Sequence, residues 1–243
     1  MGGAHSQQNE TPHTPLFHVT GQTLLNDANQ TPNNSDQEYY GIARTEVFDL
    51  LPQNCSRILE LGVGMGATMA ALRKVRDISF AAGVELMPEI AERARTHIDE
   101  VLSGDIETLE MPQSWTGFDL ILCLDVLEHL ADPWTVVRQL HERLAPGGVI
   151  VASLPNVNHV SVSLPLFFRG EWELKDAGIL DRTHLRFFVK KTAIELMTSS
   201  GLSLQATGTG GLPKYSKRWW QNRLSGGLFE RFLATQYFIR VGA

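Results

Sequence analysis

From residue 37 onward, short apolar runs alternate with stretches of helical periodicity, and this alternation limits the fold more than any other feature of the chain. Residues 58–61, 80–84, 100–102, 118–124 and 149–153 read as strands. Between them lie expected helices over 67–75, from Pro88 to about residue 98, and from Pro133 to about residue 144, the two prolines standing where a first helical turn favours them. An earlier helix carries Tyr39, Ile42, Val47, Leu50 and Leu51 and stops at Pro52. A further helix over 192–199 closes at Gly201, and the last two strands are expected over 202–207 and 232–241. Such an order argues a parallel sheet with helices on both faces and right-handed connections. A chain of 243 residues is long enough to bury one generous core without disulfide or metal support.

Three segments fall outside the rhythm. Residues 1–36 are rich in Gln, Asn, Ser, Thr and His, and are expected to be a flexible polar tail ahead of a domain spanning 37–243. Residues 155–189 carry Pro155, Pro165, Trp172, four phenylalanines and two histidines, and read as a substrate lid inserted after the fifth strand. The stretch before the last strand holds Lys214, Lys217, Arg218, Trp219, Trp220 and Arg223 and is expected to be an irregular solvated rim.

Gly62, Gly64 and Gly66 follow Ile58-Leu59-Glu60-Leu61, where a strand runs into a helix. Glycines there permit positive φ and close approach of backbone to a ligand. Alone they fit a dinucleotide site as well as any other. Glu60 separates the possibilities. A pyrophosphate would meet a carboxylate of like charge, a repulsion of about 4 kcal/mol at ~4 Å and an effective dielectric near 20. The ammonium and sulfonium of S-adenosylmethionine (SAM) reverse that sign.

With these residues in view the chain resembles class I SAM-dependent methyltransferases over about residues 39–205. The resemblance rests on Leu59-Glu60-Leu61-Gly62-Val63-Gly64-Met65-Gly66, Gly83-Val84-Glu85, Gly104-Asp105-Ile106, Phe118-Asp119-Leu120-Ile121 with Asp125-Val126-Leu127-Glu128-His129-Leu130, and Leu144-Ala145-Pro146-Gly147-Gly148. It implies a Rossmann-like doubly wound sheet of seven strands with the last antiparallel, and methyl transfer from SAM to a nucleophilic atom. It also implies ribose recognition by Glu85, adenine recognition by Asp105 and the Ile106 amide, and receipt of the SAM ammonium by backbone carbonyls around Leu124. A likeness to ubiquinone-type O-methyltransferases suggests that Arg44 grips the SAM carboxylate; a solvated helix arginine is the rival reading.

The acceptor side is less constrained. Asp125 is placed to line the transfer pocket, with helix capping as its rival role. Some methyltransferases hold a divalent ion with an acid-x-x-Glu-His cluster, but adjacent Glu128 and His129 project apart unless the backbone turns, so no metal is expected. A hydroxyl acceptor benefits from a general base, and His184 in the lid is the candidate, with a hydrogen-bonded structural histidine that pins the loop as the rival reading. Its neighbours Arg182 and Arg186 favour the neutral imidazole and suit an anionic acceptor. His159 is expected to be a pocket wall.

The net charge of −6 disfavours nucleic acid as a general partner, because phosphate neutralisation needs clustered cations. No run approaches the ~20 apolar residues of a membrane span, and the first residues lack the order of a signal peptide. Two cysteines, Cys55 and Cys123, make no disulfide framework, so a reducing, cytoplasmic setting is expected. The expected activity is methyl transfer from SAM to a small-molecule or glycan-precursor acceptor, at a hydroxyl oxygen. RNA methylation and SAM binding without catalysis are the alternatives.

Overall fold

The computed structural model describes residues 41–212 and 215–243, all within one compact unit spanning Asn34–Ala243. The proposed polar tail and Lys214 lie outside the described residues, as does the side chain of Arg218.

Seven strands form one sheet in the order β3-β2-β1-β4-β5-β7-β6. They are β1 (Arg57–Leu61), β2 (Phe80–Glu85), β3 (Glu100–Ser103), β4 (Phe118–Leu124), β5 (Leu144–Pro155), β6 (Ser203–Gly210) and β7 (Gln236–Gly242). All neighbouring pairs are parallel except those of β7, which runs antiparallel to both β5 and β6. The seven-stranded, mostly parallel sheet with an antiparallel last strand is therefore present. The crossover helices are α1 (Ala67–Arg73), α2 (Pro88–Ala94), α3 (Pro133–His141) and α5 (Lys190–Thr198), with α4 (Val160–Arg169) between β5 and α5.

The period-2 geometry of the strands splits the core in two. Leu59, Leu61, Ile121, Cys123 and Ile150 face α3 and α5, where Val137, Leu140, Leu196 and Met197 cover them. Ile58, Leu120 and Leu122 face the other way, onto Met69 and Leu72 of α1 and Ala91 and Ala94 of α2. Glu60 shares the second face with Ile58, so its carboxyl is carried under α1 rather than to solvent.

Several local expectations are corrected. Of the first expected helix, the described residues form a 3-10 turn, Thr45–Leu50, where only Val47 is buried; Ile42 is exposed, and Tyr39 lies outside the described residues. Part of the expected lid is helical, α4 running through Pro165. The stretch before β7 is not irregular: it forms α6 (Lys217–Leu224) and α7 (Glu230–Leu233), and β7 starts at Gln236 instead of 232. Pro146-Gly147-Gly148 falls inside β5 at a register shift against β4.

Candidate active site

Chain order places the site. β1 lies between β2 on one side and β4 on the other, so the loops after these strands open away from each other and leave a crevice at their carboxyl ends. The loop after β1 enters it with Gly62, Gly64 and Gly66 all at positive φ. A side chain at Gly62 would strike Val126 Cγ2 at 2.6 Å, so glycine lets the β1 loop close on the β4 loop. Gly66, in the left-handed region, then starts α1.

Carboxylates stand at the ends of these strands. Glu60 is buried and hydrogen-bonded to Thr68, while its Oε2 has no partner among the described residues. Burial pushes its carboxyl up to about 8, against smaller opposing effects of Thr68 and Arg44. Glu85 ends β2 and accepts from the Gly64 amide (3.0 Å) and the Met87 amide (3.1 Å). Burial raises its pKa as well, with those amides opposing. Asp105 is exposed after β3, and its Oδ1 accepts from the Glu107 amide (2.9 Å), so it shapes the turn there. Ile106 is buried beside it.

Leu124 ends β4, and Asp125 follows in the left-handed region at φ 56°. Few non-glycine residues adopt that conformation, and such strain concentrates at functional sites. Ser153 at the end of β5 holds it: its hydroxyl accepts from the Asp125 amide (2.9 Å) and donates to Asp125 Oδ1 (2.6 Å). Arg44 donates to Asp125 Oδ2 and, at 2.5 Å, to Glu46. It precedes a 3-10 turn rather than sitting in a helix, and it is half-buried and ion-paired rather than solvated.

Past Asp125 the chain makes a 3-10 turn, Leu127–His129. Glu128 is only 1% exposed, and both carboxyl oxygens lack hydrogen-bond partners beyond its own backbone among the described residues. Burial, reinforced by Asp125, drives its pKa well above the usual carboxylate range. The lid returns to this turn, where the Leu185 and Arg186 amides both donate to the Glu128 carbonyl at 2.9 Å. His184 thereby meets His129, ring centroids 4.8 Å apart at 75°. The His184 Nδ1 faces the Ile179 carbonyl at 3.2 Å. Burial first, then His184, holds His129 below the ordinary imidazole pKa. The flanking arginines are engaged elsewhere: Arg182 pairs with Asp176, and Arg186 donates to the Ala131 carbonyl and lies over Trp134. His159 is not a pocket wall but the cap of α4, its Nδ1 accepting from the Ser161 amide.

Three contributors escaped the sequence reading. Ser153 carried a signal, being the lone hydroxyl in the apolar run 149–154. Thr68 and Thr183 carried none.

The model of the methyltransferase domain family matches residues 32–207. The chain belongs to that family. Among curated relatives, the ubiquinone biosynthesis O-methyltransferase of Neisseria meningitidis is 26% identical over 160 residues, covering 62% of this chain and 65% of that protein. Its mitochondrial counterpart in Schizosaccharomyces pombe is 32% identical over 118 residues, covering 45% and 42%. The chain thus spans less than two thirds of these relatives' length. Two solved structures share the fold. One is an S-adenosylmethionine dependent methyltransferase from Mesorhizobium loti, at 18% identity and TM-score 0.56, covering 81% of this chain and 95% of that one. The other is a SAM dependent methyltransferase from Archaeoglobus fulgidus, at 14% identity and TM-score 0.58, covering 85% and 93%. For a methyltransferase domain the expected cofactor is SAM, and the crevice fits it. The partnerless Oε2 of Glu60 suits a cationic ligand, and the glycine loop leaves backbone room beside it.

Proposed function

We propose that this methyltransferase domain moves a methyl group from SAM to a hydroxyl oxygen of a small molecule, with glycan precursors among the candidate acceptors. The observation that carries the reading is the buried, half-partnered carboxyl of Glu60 in the crevice behind the glycine loop. A dinucleotide phosphate there would leave that group worse off than water does, whereas an ammonium completes it. Glu85 is assigned to the ribose hydroxyls, Asp105 and the Ile106 amide to adenine, the carbonyls near Leu124 to the ammonium and Arg44 to the carboxylate. Bound SAM supplies an electrophilic methyl on a cationic sulfur. Asp125 lines the transfer pocket, and His184, on the lid beside His129, is the candidate acceptor of the hydroxyl proton.

The oxygen acceptor is supported by the names of the curated relatives. Room for an apolar part of the acceptor is offered by an open depression of about 310 Å³ beside α4, lined by Val157, Leu166, Phe167, Trp172 and Val189 among others. Among the described residues no helix is long and apolar enough to cross a membrane. Two buried, free thiols, Cys55 and Cys123, suit a reducing cytoplasmic setting.

Methyl-labelled SAM incubated with a panel of hydroxylated small molecules and glycan precursors, read by mass spectrometry, tests the activity. A labelled ether product is expected. Failure of SAM and of S-adenosylhomocysteine to bind overturns the reading. Label transferred only to RNA replaces its acceptor.

A further inference from the structure

Resting on the methyl-transfer reading, we infer that Asp125 competes with the cofactor for Arg44. The carboxylate of bound SAM draws Arg44 away and frees one oxygen of Asp125 for a hydrogen-bond donor of the acceptor. Asp125 thereby sets the order of binding, cofactor first, and is more than a wall of the pocket.

The two oxygens of Asp125 are held differently. Oδ1 accepts from the Ser153 hydroxyl (2.6 Å), which also accepts from the Asp125 amide (2.9 Å). Ser153 belongs to β5, so this hold comes from the sheet itself. Oδ2 is bonded to Arg44, the one cation paired with Asp125 among the described residues. Departure of Arg44 would therefore uncover Oδ2 while Ser153 keeps the left-handed backbone at φ 56° in place.

Arg44 is anchored at its root and replaceable at its head. Its amide donates to Thr68 Oγ1 in α1 (3.2 Å), which fixes where the side chain starts. Its guanidinium reaches Glu46 and Asp125. Glu46 is 41% exposed, so water screens that pair and Asp125 is the partner that counts. Glu60 and Glu128 also lie within electrostatic reach of Arg44. One cation thus serves four carboxyl groups on this side of the crevice.

The charges of SAM decide how that cation is shared. Its ammonium and sulfonium suit the acidic crevice, but its carboxylate does not. Set beside Asp125, the ligand carboxylate is repelled unless a cation lies between them. A guanidinium binds a carboxylate best with both arms of its fork on one partner. Turning the fork from Asp125 to the ligand separates the two anions, and the sulfonium then balances the charge left on Asp125. An acceptor finds Oδ2 open only after this exchange. The bond it makes there is a positioning one, and the proton of the reacting hydroxyl remains assigned to His184.

The test titrates the whole chain by calorimetry with S-adenosylhomocysteine and with its decarboxylated analogue, which keeps the ammonium. Asp125→Asn removes the competing charge, yet keeps a carbonyl oxygen for the Ser153 hydroxyl. It should bind S-adenosylhomocysteine roughly tenfold tighter than wild type and bind the analogue no differently. Arg44→Gln should weaken S-adenosylhomocysteine by about ten- to hundredfold and spare the analogue. In the Arg44→Gln background, Asp125→Asn should bring no gain. A crystal structure of the S-adenosylhomocysteine complex should show Arg44 on the ligand carboxylate and no longer on Asp125. Unchanged or weaker binding of S-adenosylhomocysteine by Asp125→Asn, with its melting temperature preserved, overturns the inference. So does a complex in which Arg44 stays on Asp125, or an equal gain for both ligands. Failure of both ligands to bind wild type instead overturns the methyl-transfer reading, and this inference with it.

Discussion

Glu60 turns burial into a measurable proton linkage. The folded chain holds its proton up to about 8, whereas an exposed glutamate loses it near 4.5. Between those values the unfolded state binds fewer protons, so stability falls as pH rises across that window. Buried Glu128 and Glu85 are shifted in the same direction and add to the slope. The melting temperature of the unliganded protein should therefore decline from pH 5 to 8, and Glu60→Gln should flatten part of the decline. A cationic ligand lowers the Glu60 pKa, so binding of SAM near pH 7 should release up to one proton. Calorimetry in two buffers of different ionisation enthalpy reads this as a buffer-dependent heat, which Glu60→Gln abolishes. The ribose and adenine assignments are tested at the same scale. Losing a charge-assisted hydrogen bond costs about 1.5–3 kcal/mol, roughly ten- to hundredfold in Kd. Asp105→Ala should show that loss with little change in melting, its side chain being exposed. Glu85 also satisfies two backbone amides, so Glu85→Ala should weaken folding too, and Glu85→Gln is the cleaner probe. Wild-type affinity in both Asp105→Ala and Glu85→Gln would remove the assignments.

Among the elements, the segment after β5 is a closed excursion rather than a loose lid. Asn156 forms a parallel bridge with Phe188, and the Val157 amide donates to the Phe188 carbonyl at 3.0 Å. The buried amide of Asn156 donates to the carbonyls of Arg231 (2.9 Å) and Ala234 (2.8 Å), tying this root to α7. Asn156→Ala leaves buried groups unpaired at about 1–3 kcal/mol each, so the urea midpoint should fall and amides over 157–159 should exchange faster. Unchanged exchange there would mean that the root is held by packing instead. The same elements show what could be read in advance. β4 was legible because a strand covered on both faces is apolar on nearly every residue, and the strand-end carboxylates because glycines or strand ends mark them. What stayed hidden is long-range or polar. The meeting of His184 with Glu128 and His129 depends on two backbone amides reaching one carbonyl across 57 and 58 residues. α6 is so polar and cationic that nothing in its pattern distinguishes it from a loop, and the Trp219–Trp220 contact forms only once it is helical.

At the scale of the whole molecule, most of the cofactor assignments come from the carboxyl ends of β1, β2, β3 and β4, four adjacent parallel strands, and the loops that follow them. A ligand held by Glu85 and Asp105 at one end and by Arg44 and the carbonyls near Leu124 at the other cross-links those loops. Unfolding then has to release it, and stability rises by mass action. At ~100 times Kd the gain is about 2.7 kcal/mol, and in a chain of this size each kcal/mol raises the melting temperature by roughly 2–4 °C. S-adenosylhomocysteine should accordingly raise the midpoint by about 5–10 °C. NAD, which would bring pyrophosphate against the buried carboxyl of Glu60, should leave it in place. Asp105→Ala should cut the S-adenosylhomocysteine shift without moving the unliganded midpoint, because it removes one end of the bridge and not the sheet. A thermal scan in which NAD stabilises the chain and S-adenosylhomocysteine does not would mean that the crevice recognises phosphate, and that Glu60 faces the core for packing alone.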